Sequence, residues 1–380
     1  MIIAVPAETR PGEKRVALAP ESVQRLAEKK LQIRLQSGAG KGAWFSDDDY
    51  RRAGASVETS VEGLFDQADL IAKIRAPSEA EIEHFRRGAA LICLLYPRIH
   101  AAATRYLASR GVTTIALENL PRTTIAQAMD VLSSQSTVAG YRAVIVAAAG
   151  VAKFFPMLMT PAGTIAPARV LVLGAGVAGL QAIATARRLG AVVEAFDVRR
   201  AARADVESLG AKFIEPWLEQ AAETAEGYAT PLTEAAIERA RDAIRQPLAN
   251  GDVCVTTALV PNQRAPILIT AEMVKTMRPG SVIVDLAAEQ GGNCELTQAG
   301  QDSVCHGVTI IGRLNLVSEV AIDASRMYSR NLEKLIFHFL DDDKLRFDFG
   351  DEITRRCVVT HGGEIVGAEI REAIAAATGG

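Results

Sequence analysis

Residues 169–197 constrain the fold of this chain more than any other stretch. They read as a short apolar strand, a glycine turn, a helix and a second apolar strand. The turn, Gly174-Ala-Gly-Val-Ala-Gly179, is a complete G-x-G-x-x-G pattern that directly follows Val170–Leu173. In such a unit the first glycine permits the sharp turn, the second lets a pyrophosphate approach the backbone, and the third lets helix and strand pack closely. The pattern predicts a dinucleotide site at the helix N-terminus, formed by Gly174, Gly176, Val177, Ala178 and Gly179.

The acid at the end of the second strand, Asp197, predicts which dinucleotide is bound. A carboxylate there can accept hydrogen bonds from the adenosine ribose and would repel a 2′-phosphate. We therefore expect NAD(H) rather than NADP(H). Arg199 and Arg200 follow directly, and two interpretations of them are open. They favour NADP(H), or they lie in a solvated loop or face the adenine.

Composition limits the class of protein. A chain of 380 residues, 49% of them hydrophobic and only 5% aromatic, is typical of two or three domains built from helices and parallel sheets. The formal net charge of -3 and the lack of a basic cluster argue against nucleic-acid binding. The chain opens as a strand rather than a signal peptide, its apolar runs are too short to span a bilayer, and its five cysteines lack C-x-x-C spacing. We expect a soluble intracellular protein with reduced thiols and no metal site.

The N-terminal third alternates apolar strands with amphipathic helices, which predicts a mostly parallel sheet covered on both faces. The expected strands are Ile2–Val5, Gln32–Gln36, Leu70–Ile74, Ala90–Leu95 and Thr113–Leu117, and the expected helices are Glu21–Lys29, Asp47–Ala53, Val61–Gln67, Glu79–Phe85 and Ala101–Ser109. Long helices over Thr124–Gly150 and Val317–Leu340 are expected to leave this domain and return to it. The predicted fold class is therefore α/β, with two doubly wound Rossmann-like domains joined by long helices around a cofactor cleft. The predicted domains are residues 1–125 plus 325–380, and residues 126–324.

The second domain continues the pattern with further short strands. They are expected at Lys212–Ile214, Val253–Thr256, Ser281–Leu286 and Val308–Ile311. Thr257, Ala258 and Leu259 follow one of these strands, and they either line the nucleotide cleft or make ordinary βα-loop contacts. A long insert, Glu219–Leu248, interrupts the pattern around Tyr228, and extra helices, a mobile flap or a surface elaboration without a role all remain open.

The remaining connections are predicted from local composition. Residues 156–167 are rich in Pro, Gly and Thr and are expected to form a loop. Near the C-terminus, Arg356–Thr360 and Glu364–Val366 are expected to pair as a small hairpin, and Glu369–Ala377 to form a short helix.

Several further stretches resemble one family: alanine dehydrogenase together with the NAD(H)-binding alpha-subunit domain of proton-translocating nicotinamide nucleotide transhydrogenase. They are residues 5–20 (VPAETRPGEKRVALAP), Gly38-Ala-Gly40 with Phe45–Asp48, and residues 275–285 with Gln290-Gly-Gly292. These stretches span nearly the whole chain. The resemblance implies a two-domain α/β fold, bound NAD(H) and a homodimer.

The resemblance also separates the two members of that family. Alanine dehydrogenases hold a 2-oxo acid with an arginine and a lysine, use a histidine as acid/base, and place an aspartate near the QGG motif. This chain keeps counterparts of the two cations at Arg15 and Lys73, but it has Pro97 at the histidine position and Glu289 at the aspartate position. Proline has no titratable group. The oxo-acid site is therefore expected to be inactive, and the nearby His100 is expected to face another way.

Hydride transfer between two nicotinamides needs no local acid or base; it needs two rings held face to face away from water. Residues 122–136 resemble the transhydrogenase segment that surrounds the dihydronicotinamide. By that resemblance Arg122 and Gln127 contact the nicotinamide and its ribose, while Asp130 and Ser133 hold the carboxamide. The alternative is that Arg122 and Asp130 cap and neutralise a helix start.

Three more residues are assigned to the cofactor by the same resemblance. Tyr228 would lie on a mobile loop, near 220–240, that closes over the nucleotide, and Glu289 would border the site. Asn315 lies in Leu314-Asn-Leu316, which departs from the more polar, proline-containing stretch usual in the family. The expected cofactor-binding set therefore contains Tyr228, Glu289 and Asn315.

The expected function is that of a peripheral transhydrogenase component. The chain would bind NADH and pass its hydride to NADP+ on a partner subunit, and a membrane-spanning subunit would couple this reaction to proton movement. It would lie on the cytoplasmic face of the inner membrane through its partners, either as a naturally separate subunit or as a piece of a longer alpha polypeptide. The alternatives are an amino-acid dehydrogenase with an altered site and a non-catalytic NAD(H)-binding module.

Overall fold

The computed structural model describes residues 1–215, 233–259 and 264–376. It divides into two compact units, Met1–Gln135 with Val317–Gly380 and Ser136–Leu316. Each unit contains a parallel-rich sheet with helices, so the predicted α/β class is confirmed. Within the described residues, no helix combines the length and the apolar character that crossing a bilayer requires.

The N-terminal portion of the first unit alternates strands and helices as predicted. The elements are β1 Ile2–Val5, α1 Pro20–Glu28, β2 Gln32–Gln36, α2 Asp47–Arg52, β3 Ser56–Glu58, α3 Val61–Phe65, β4 Leu70–Arg75, α4 Glu79–Glu83, β5 Ala90–Leu94, α5 Ala101–Ser109 and β6 Thr113–Ala116. The short strand β3 was not predicted. Two of the helices begin at capping boxes, because Ser46 and Ser78 each accept a backbone N–H from the residue three positions on.

The chain then forms the second unit and returns to the first. The elements of this middle portion are α6 Val131–Gly150, β7 Leu158–Thr160, β8 Gly163–Ile165, β9 Arg169–Leu173, α7 Val177–Arg188, β10 Val192–Phe196, α8 Ala202–Ser208, β11 Lys212–Ile214, α9 Glu234–Ala249, β12 Val253–Thr256, α10 Ala271–Lys275, β13 Val282–Asp285, β14 Asp302–Cys305 and β15 Val308–Ile311. The C-terminal elements are α11 Ala321–Phe339, β16 Leu340–Asp341, β17 Lys344–Leu345, α12 Glu352–Cys357, β18 Val358–His361, β19 Glu364–Ile365 and α13 Ala368–Ala376.

Both large sheets have doubly wound topology. The first unit's sheet has the order β19-β18-β6-β5-β4-β1-β2-β3, parallel from β6 to β3 and antiparallel at β18 and β19. The second unit's sheet has the order β11-β10-β9-β12-β13-β15-β14, and only β14 runs antiparallel. The strand order reverses between β1 and β4 in one sheet and between β9 and β12 in the other. Ligands of such sheets bind outside the carboxyl ends of the strands at this reversal.

The cores follow from the alternation of side chains along the strands. In β9, Val170 and Val172 pack into one buried cluster, while Leu171 and Leu173 pack into another on the opposite face. A strand buried on both faces has no polar side, which explains the unbroken apolar run in the sequence. This burial holds the glycine turn, directly after Leu173, at a fixed place.

Two predicted boundaries of the long helices are wrong. The helix expected from Thr124 begins only at Val131, because a 3-10 turn, Ala126–Met129, comes first. The helix expected from Val317 begins at Ala321, after a second 3-10 turn. In both segments the apolar periodicity continues through the turn, so the sequence pattern does not reveal the change of winding.

Two connections also differ from expectation. The loop expected over residues 156–167 contains the hairpin β7–β8. The C-terminal hairpin is confirmed, but Arg356 lies in α12 rather than in its first strand, which begins at Val358. The antiparallel edge strand β14 was not predicted, since two of its four residues are exposed and its apolar pattern is weak.

Candidate functional site

The three glycines of the turn after β9 have three different environments. Gly174 has a φ of 97° and donates its N–H to the carbonyl of Phe196 at 2.8 Å. A Cβ at Gly176 would meet no atom within 4 Å, whereas a Cβ at Gly179 would stand 1.8 Å from the carbonyl oxygen of Gly174. The predicted strand–turn–helix geometry is therefore confirmed. Open space lies at Gly176, the N-cap of α7, where helix N–H groups and the helix dipole favour an anion.

The two residues that follow Gly176 differ in exposure. Val177, the first residue of α7, is exposed. Ala178 is half-buried, and its carbonyl oxygen lies against Gly140 of α6, where a Cβ would stand only 2.0 Å away. Close backbone packing thus fixes the first turn of α7 from below, while its first side chain remains accessible.

Thr257 joins the glycine turn to β12 across the strand-order reversal. Its N–H donates to the carbonyl of Leu173 at 2.7 Å, and its hydroxyl donates to the carbonyl of Leu173 at 3.2 Å or of Gly174 at 3.1 Å. Ala258 is half-buried and Leu259 is exposed beside it. The structure shows that Thr257 has a packing role at the turn. A role in lining a nucleotide cleft stays a prediction.

Asn293 and Asp285 support this segment and were not among the predicted site residues. Asn293 is fully buried; its amide donates to the carbonyls of Ala258 (2.8 Å) and Pro266 (2.9 Å), and its carbonyl oxygen accepts the N–H of Ala258 at 3.0 Å. The Asp285 carboxylate accepts five hydrogen bonds, from the hydroxyls of Thr256 and Thr297 and the N–H groups of Ala287, Asn293 and Cys294. An acid ending a buried strand shortly before Gly-Gly-Asn was the available signal in the sequence.

Asp197 lies buried at the carboxyl end of β10 and is bound to its neighbour Arg199. One oxygen accepts the Arg199 backbone N–H at 2.8 Å and its Nε at 2.9 Å. The other oxygen accepts Arg199 Nη2 at 2.9 Å and the N–H of Ala175, within the glycine turn, at 2.7 Å. The carboxylate therefore anchors the turn, and the arginine is held against the acid rather than left in a solvated loop.

The four residues predicted to contact the nicotinamide belong to the first unit. Asp130 immediately precedes α6, and its carboxylate accepts the Ser133 N–H at 2.9 Å and the Ser133 hydroxyl at 2.5 Å. Arg122 and Gln127 are exposed on the preceding segment. Asp130 is thus an N-cap of α6, which bears out the capping half of the alternative interpretation without testing a role at the nicotinamide.

The remaining predicted residues lie on other loops. Glu289 is exposed in a 3-10 turn after β13, and Asn315 is half-buried after β15 with a φ of 57°. Both loops follow carboxyl ends of parallel strands in the second unit's sheet, on the same edge as the glycine turn. Tyr228 and most of the insert near 220–240 lie outside the described residues.

Two family models cover almost the whole chain. The alanine dehydrogenase/PNT N-terminal domain matches residues 4–139, and the alanine dehydrogenase/PNT C-terminal domain matches residues 143–368. The chain belongs to the alanine dehydrogenase/PNT family.

Individual relatives span both activities named in the family. The chain is 46% identical over 375 residues to an NAD(P) transhydrogenase subunit alpha chain of Rhodospirillum rubrum, covering 96% of this chain and 98% of the relative. It is 35% identical over 301 residues to the alanine dehydrogenase of Halomonas elongata, covering 78% and 75% of the two chains. The solved transhydrogenase of Sinorhizobium meliloti superposes with a TM-score of 0.85 at 41% identity, covering 97% of this chain and 100% of that one.

Arg15 and Lys73, which resemble the oxo-acid ligands of alanine dehydrogenases, are buried in the first unit at the β1/β4 reversal. Arg15 binds Glu13 through Nε (2.7 Å) and Nη2 (2.6 Å), and its Nη1 donates to Gln135 at 2.8 Å. Burial by itself raises the pKa of Glu13, but the hydrogen bonds and charge of Arg15, with Ser318 and Arg75, outweigh it and lower that pKa to about 2. Glu13 is therefore a permanent anion, and all three sides of the guanidinium are engaged within the unit.

Lys73 is neutralised in the same way. Its Nζ lies 2.6 Å from Glu81 and 3.7 Å from Glu8, and the lysine is only 1% exposed. Burial opposes its charge, but the two carboxylates raise the pKa of Lys73 above its ordinary value. Burial raises the pKa of Glu8, although Lys73 and the N–H groups of Ile74 and Arg75 act against it. The cations that would hold a carboxylate substrate are thus satisfied by side chains of this unit.

The turn that carries the histidine in alanine dehydrogenases contains buried Pro97 here. Tyr96 before it has a φ of 50°, and the carboxylate of Glu118 accepts the N–H groups of Leu95 (3.0 Å) and Tyr96. His100 is exposed at the N-cap of α5, and burial together with the charges of Arg10 and Arg75 lowers its pKa. Since Pro97 has no titratable group, it cannot serve as the acid/base of an oxo-acid reaction.

Proposed function

We propose that this chain is the NAD(H)-binding component of a proton-translocating NAD(P) transhydrogenase. It binds NADH and passes the hydride to NADP+ held on a partner subunit. The observation that carries the proposal is the contrast between the two strand-order reversals. Buried ion pairs fill the one at Arg15 and Lys73, whereas the one at Gly176 leaves open space at a helix N-terminus. End-to-end similarity to transhydrogenase alpha subunits supports the same choice.

The second unit holds the nucleotide in this proposal. The pyrophosphate lies against Gly174, Gly176 and the first turn of α7, where Val177, Ala178 and Gly179 present backbone N–H groups. Asp197 and Arg199 face the adenosine ribose. Thr257, Ala258 and Leu259 border the dinucleotide, and Glu289, Asn315 and Tyr228 complete the set.

The dihydronicotinamide is oriented by the segment before α6. Arg122 and Gln127 contact the nicotinamide and its ribose, and the Asp130–Ser133 pair holds the carboxamide, which offers both donors and an acceptor. The hydride leaves C4 of the reduced ring and arrives at C4 of the oxidised ring. No proton moves at this step, so the protein supplies positioning and exclusion of water rather than an acid or base.

The partners follow from the same assignment. The chain assembles as a homodimer with an NADP(H)-binding subunit and a membrane-spanning subunit, on the cytoplasmic face of the inner membrane. Exposed apolar side chains near and on the β7–β8 hairpin, Phe154, Met157 and Met159, support an interface at this surface. Sedimentation of the wild type against Met159→Glu tests it: a change from dimer to monomer supports this interface, and an unchanged dimer rejects it.

Hydride exchange is the direct test. NADH and an NADP+ analogue are mixed with this protein, with and without a purified NADP(H)-binding partner domain, and the oxidation of NADH is followed by absorbance. L-Alanine with NAD+ is the parallel reaction. The proposal expects partner-dependent transfer and no alanine turnover.

Three other outcomes overturn it in different ways. Alanine turnover without a partner would identify an amino-acid dehydrogenase. NADH binding without transfer, even with the partner present, would identify a non-catalytic NAD(H)-binding module. Failure to bind NADH at all would remove the nucleotide site itself.

A further inference from the structure

The acceptor capacity of Asp197 is full in this structure. A carboxylate offers about four lone-pair sites. The four N–H donors at 2.7 to 2.9 Å are Ala175 N, Arg199 N, Arg199 Nε and Arg199 Nη2. An adenosine ribose that is to bind this carboxylate must therefore replace one or two existing donors.

The four donors are not equally replaceable. Two are backbone N–H groups: Ala175 holds the glycine turn and Arg199 N belongs to the chain just after β10. The other two are the side-chain fork, with Nε on one oxygen and Nη2 on the other. Only this fork can leave by side-chain rotation without movement of the backbone.

The fork also has the hydrogen-bonding pattern of the expected ligand. A ribose 2′,3′-diol presents two neighbouring O–H donors that can bind both oxygens of one carboxylate. The Arg199 side chain presents two neighbouring N–H donors to those same oxygens. The Asp197 side chain is 6% exposed and that of Arg199 is 17% exposed, so the guanidinium lies on the accessible side of the acid.

We propose that Arg199 is an internal placeholder for the adenosine ribose, and that nucleotide binding exchanges its guanidinium for the ribose diol on Asp197. This inference rests on the proposed nucleotide site of the second unit. It makes Arg199 a residue that sets affinity and specificity. Without it, Asp197 would be a buried anion with two open acceptor sites, which binds a diol more tightly.

The exchange also affects discrimination against a 2′-phosphate. A displaced Arg199 remains close to Asp197 in sequence and keeps its positive charge near the ribose. That charge offsets some of the repulsion between Asp197 and a 2′-phosphate. Removing it should improve the binding of NADH and weaken the binding of NADPH.

The test measures dissociation constants of the full chain by calorimetry for the wild type, Arg199→Ala and Arg199→Lys. Arg200→Ala is the matched control, since it removes the same charge from an exposed neighbour. The probes are NADH, NADPH, ADP and 2′-deoxy-ADP. We expect Arg199→Ala to bind NADH and ADP about tenfold more tightly, with little gain for 2′-deoxy-ADP, which lacks the diol. Arg199→Lys should fall in between, because an ammonium cannot present the planar fork.

The outcomes separate the placeholder from other roles. Weaker NADH binding in Arg199→Ala would mean that the guanidinium contacts the nucleotide and would overturn the inference. Equal gains for ADP and 2′-deoxy-ADP, or the same gain in Arg200→Ala, would reduce it to a general charge effect. Unchanged affinities with a lower Tm would leave only a structural pair. If no variant binds NADH, ADP or NADPH, the proposed function fails rather than this inference.

Discussion

Gly179 lies so close to Gly174 that a Cβ at position 179 would stand 1.8 Å from the carbonyl oxygen of Gly174. That carbonyl is a backbone atom at the end of a fully buried strand, and it also accepts from the Thr257 hydroxyl. It cannot move aside as a flexible side chain would. The third glycine of the turn is therefore required by packing of helix against strand, whether or not a ligand is bound.

Replacing Gly179 by alanine should destabilise the second unit by about 3 kcal/mol, because the added methyl forces α7 away from β9. Urea unfolding followed by circular dichroism measures the change in free energy. A loss below about 1 kcal/mol would contradict the close packing, since even ordinary overpacking costs that much.

Gly176→Ala should have the opposite profile. The φ of Gly176 is -78° and its Cβ would enter open space, so the free energy of unfolding should change little. The same methyl would stand where a pyrophosphate approaches the backbone, and NADH should bind at least about tenfold more weakly. Calorimetry and urea unfolding on the same sample distinguish the two effects, and unchanged NADH affinity would remove the phosphate from this position.

Asn293→Asp tests the support beneath Thr257–Leu259. The substitution keeps the acceptor for the Ala258 N–H but replaces the amide donor by an acceptor that faces two carbonyl oxygens, those of Ala258 and Pro266. We expect a loss of about 3 kcal/mol in the free energy of unfolding. A near-neutral result would show that the amide is not the group holding this loop.

Asp130 variants separate the helix cap from the proposed nicotinamide contact. Asparagine is as good an N-cap as aspartate, so Asp130→Asn should keep stability, while Asp130→Ala should lose about 1 kcal/mol. If the carboxylate also orients the carboxamide, both variants should slow partner-dependent hydride transfer. Normal transfer in Asp130→Asn would leave Asp130 with the capping role alone.

Glu118 should give the first unit a stability that depends on pH near neutrality. Burial raises its pKa from 4.5 to about 7, against the backbone hydrogen bonds that lower it. Between these values the folded chain keeps a proton that the unfolded chain releases. The contribution is therefore complete below the unfolded pKa, and the free energy of unfolding should fall by about 3 kcal/mol as pH rises through the folded pKa.

The variant Glu118→Gln should lack this pH-dependent contribution, whereas Glu83→Gln, at an exposed position, should keep it. Urea unfolding of all three proteins from about pH 5 to about pH 8 brackets the two pKa values and provides the comparison. Parallel curves for the wild type and Glu118→Gln would show that the carboxyl titrates normally.

Much of the fold could be predicted from the sequence because its signals are local. Buried strands such as Val192–Phe196 and Val253–Thr256 were located at their observed bounds from apolar runs alone. The 3-10 turn Ala126–Met129 and the hairpin β7–β8 were missed, since neither changes the apolar pattern enough to mark the backbone conformation. Pairing of the edge strand β14 depends on its neighbour β15, which a sequence window around residues 302–305 does not reveal.

The sequence by itself determined the strand, glycine turn, helix and terminal acid, because the constraints on Gly174 and Gly179 arise from backbone sterics within a few residues. It also determined that Pro97 cannot act as an acid or base. Only the tertiary structure decided which polar groups are already satisfied. The burial of Asp197 brings Arg199 onto both of its oxygens, and the burial of Arg15 binds it to Glu13 and Gln135. Hydrogen bonds between buried groups follow from how the sheets and loops pack, and residues distant in sequence supply most of that packing.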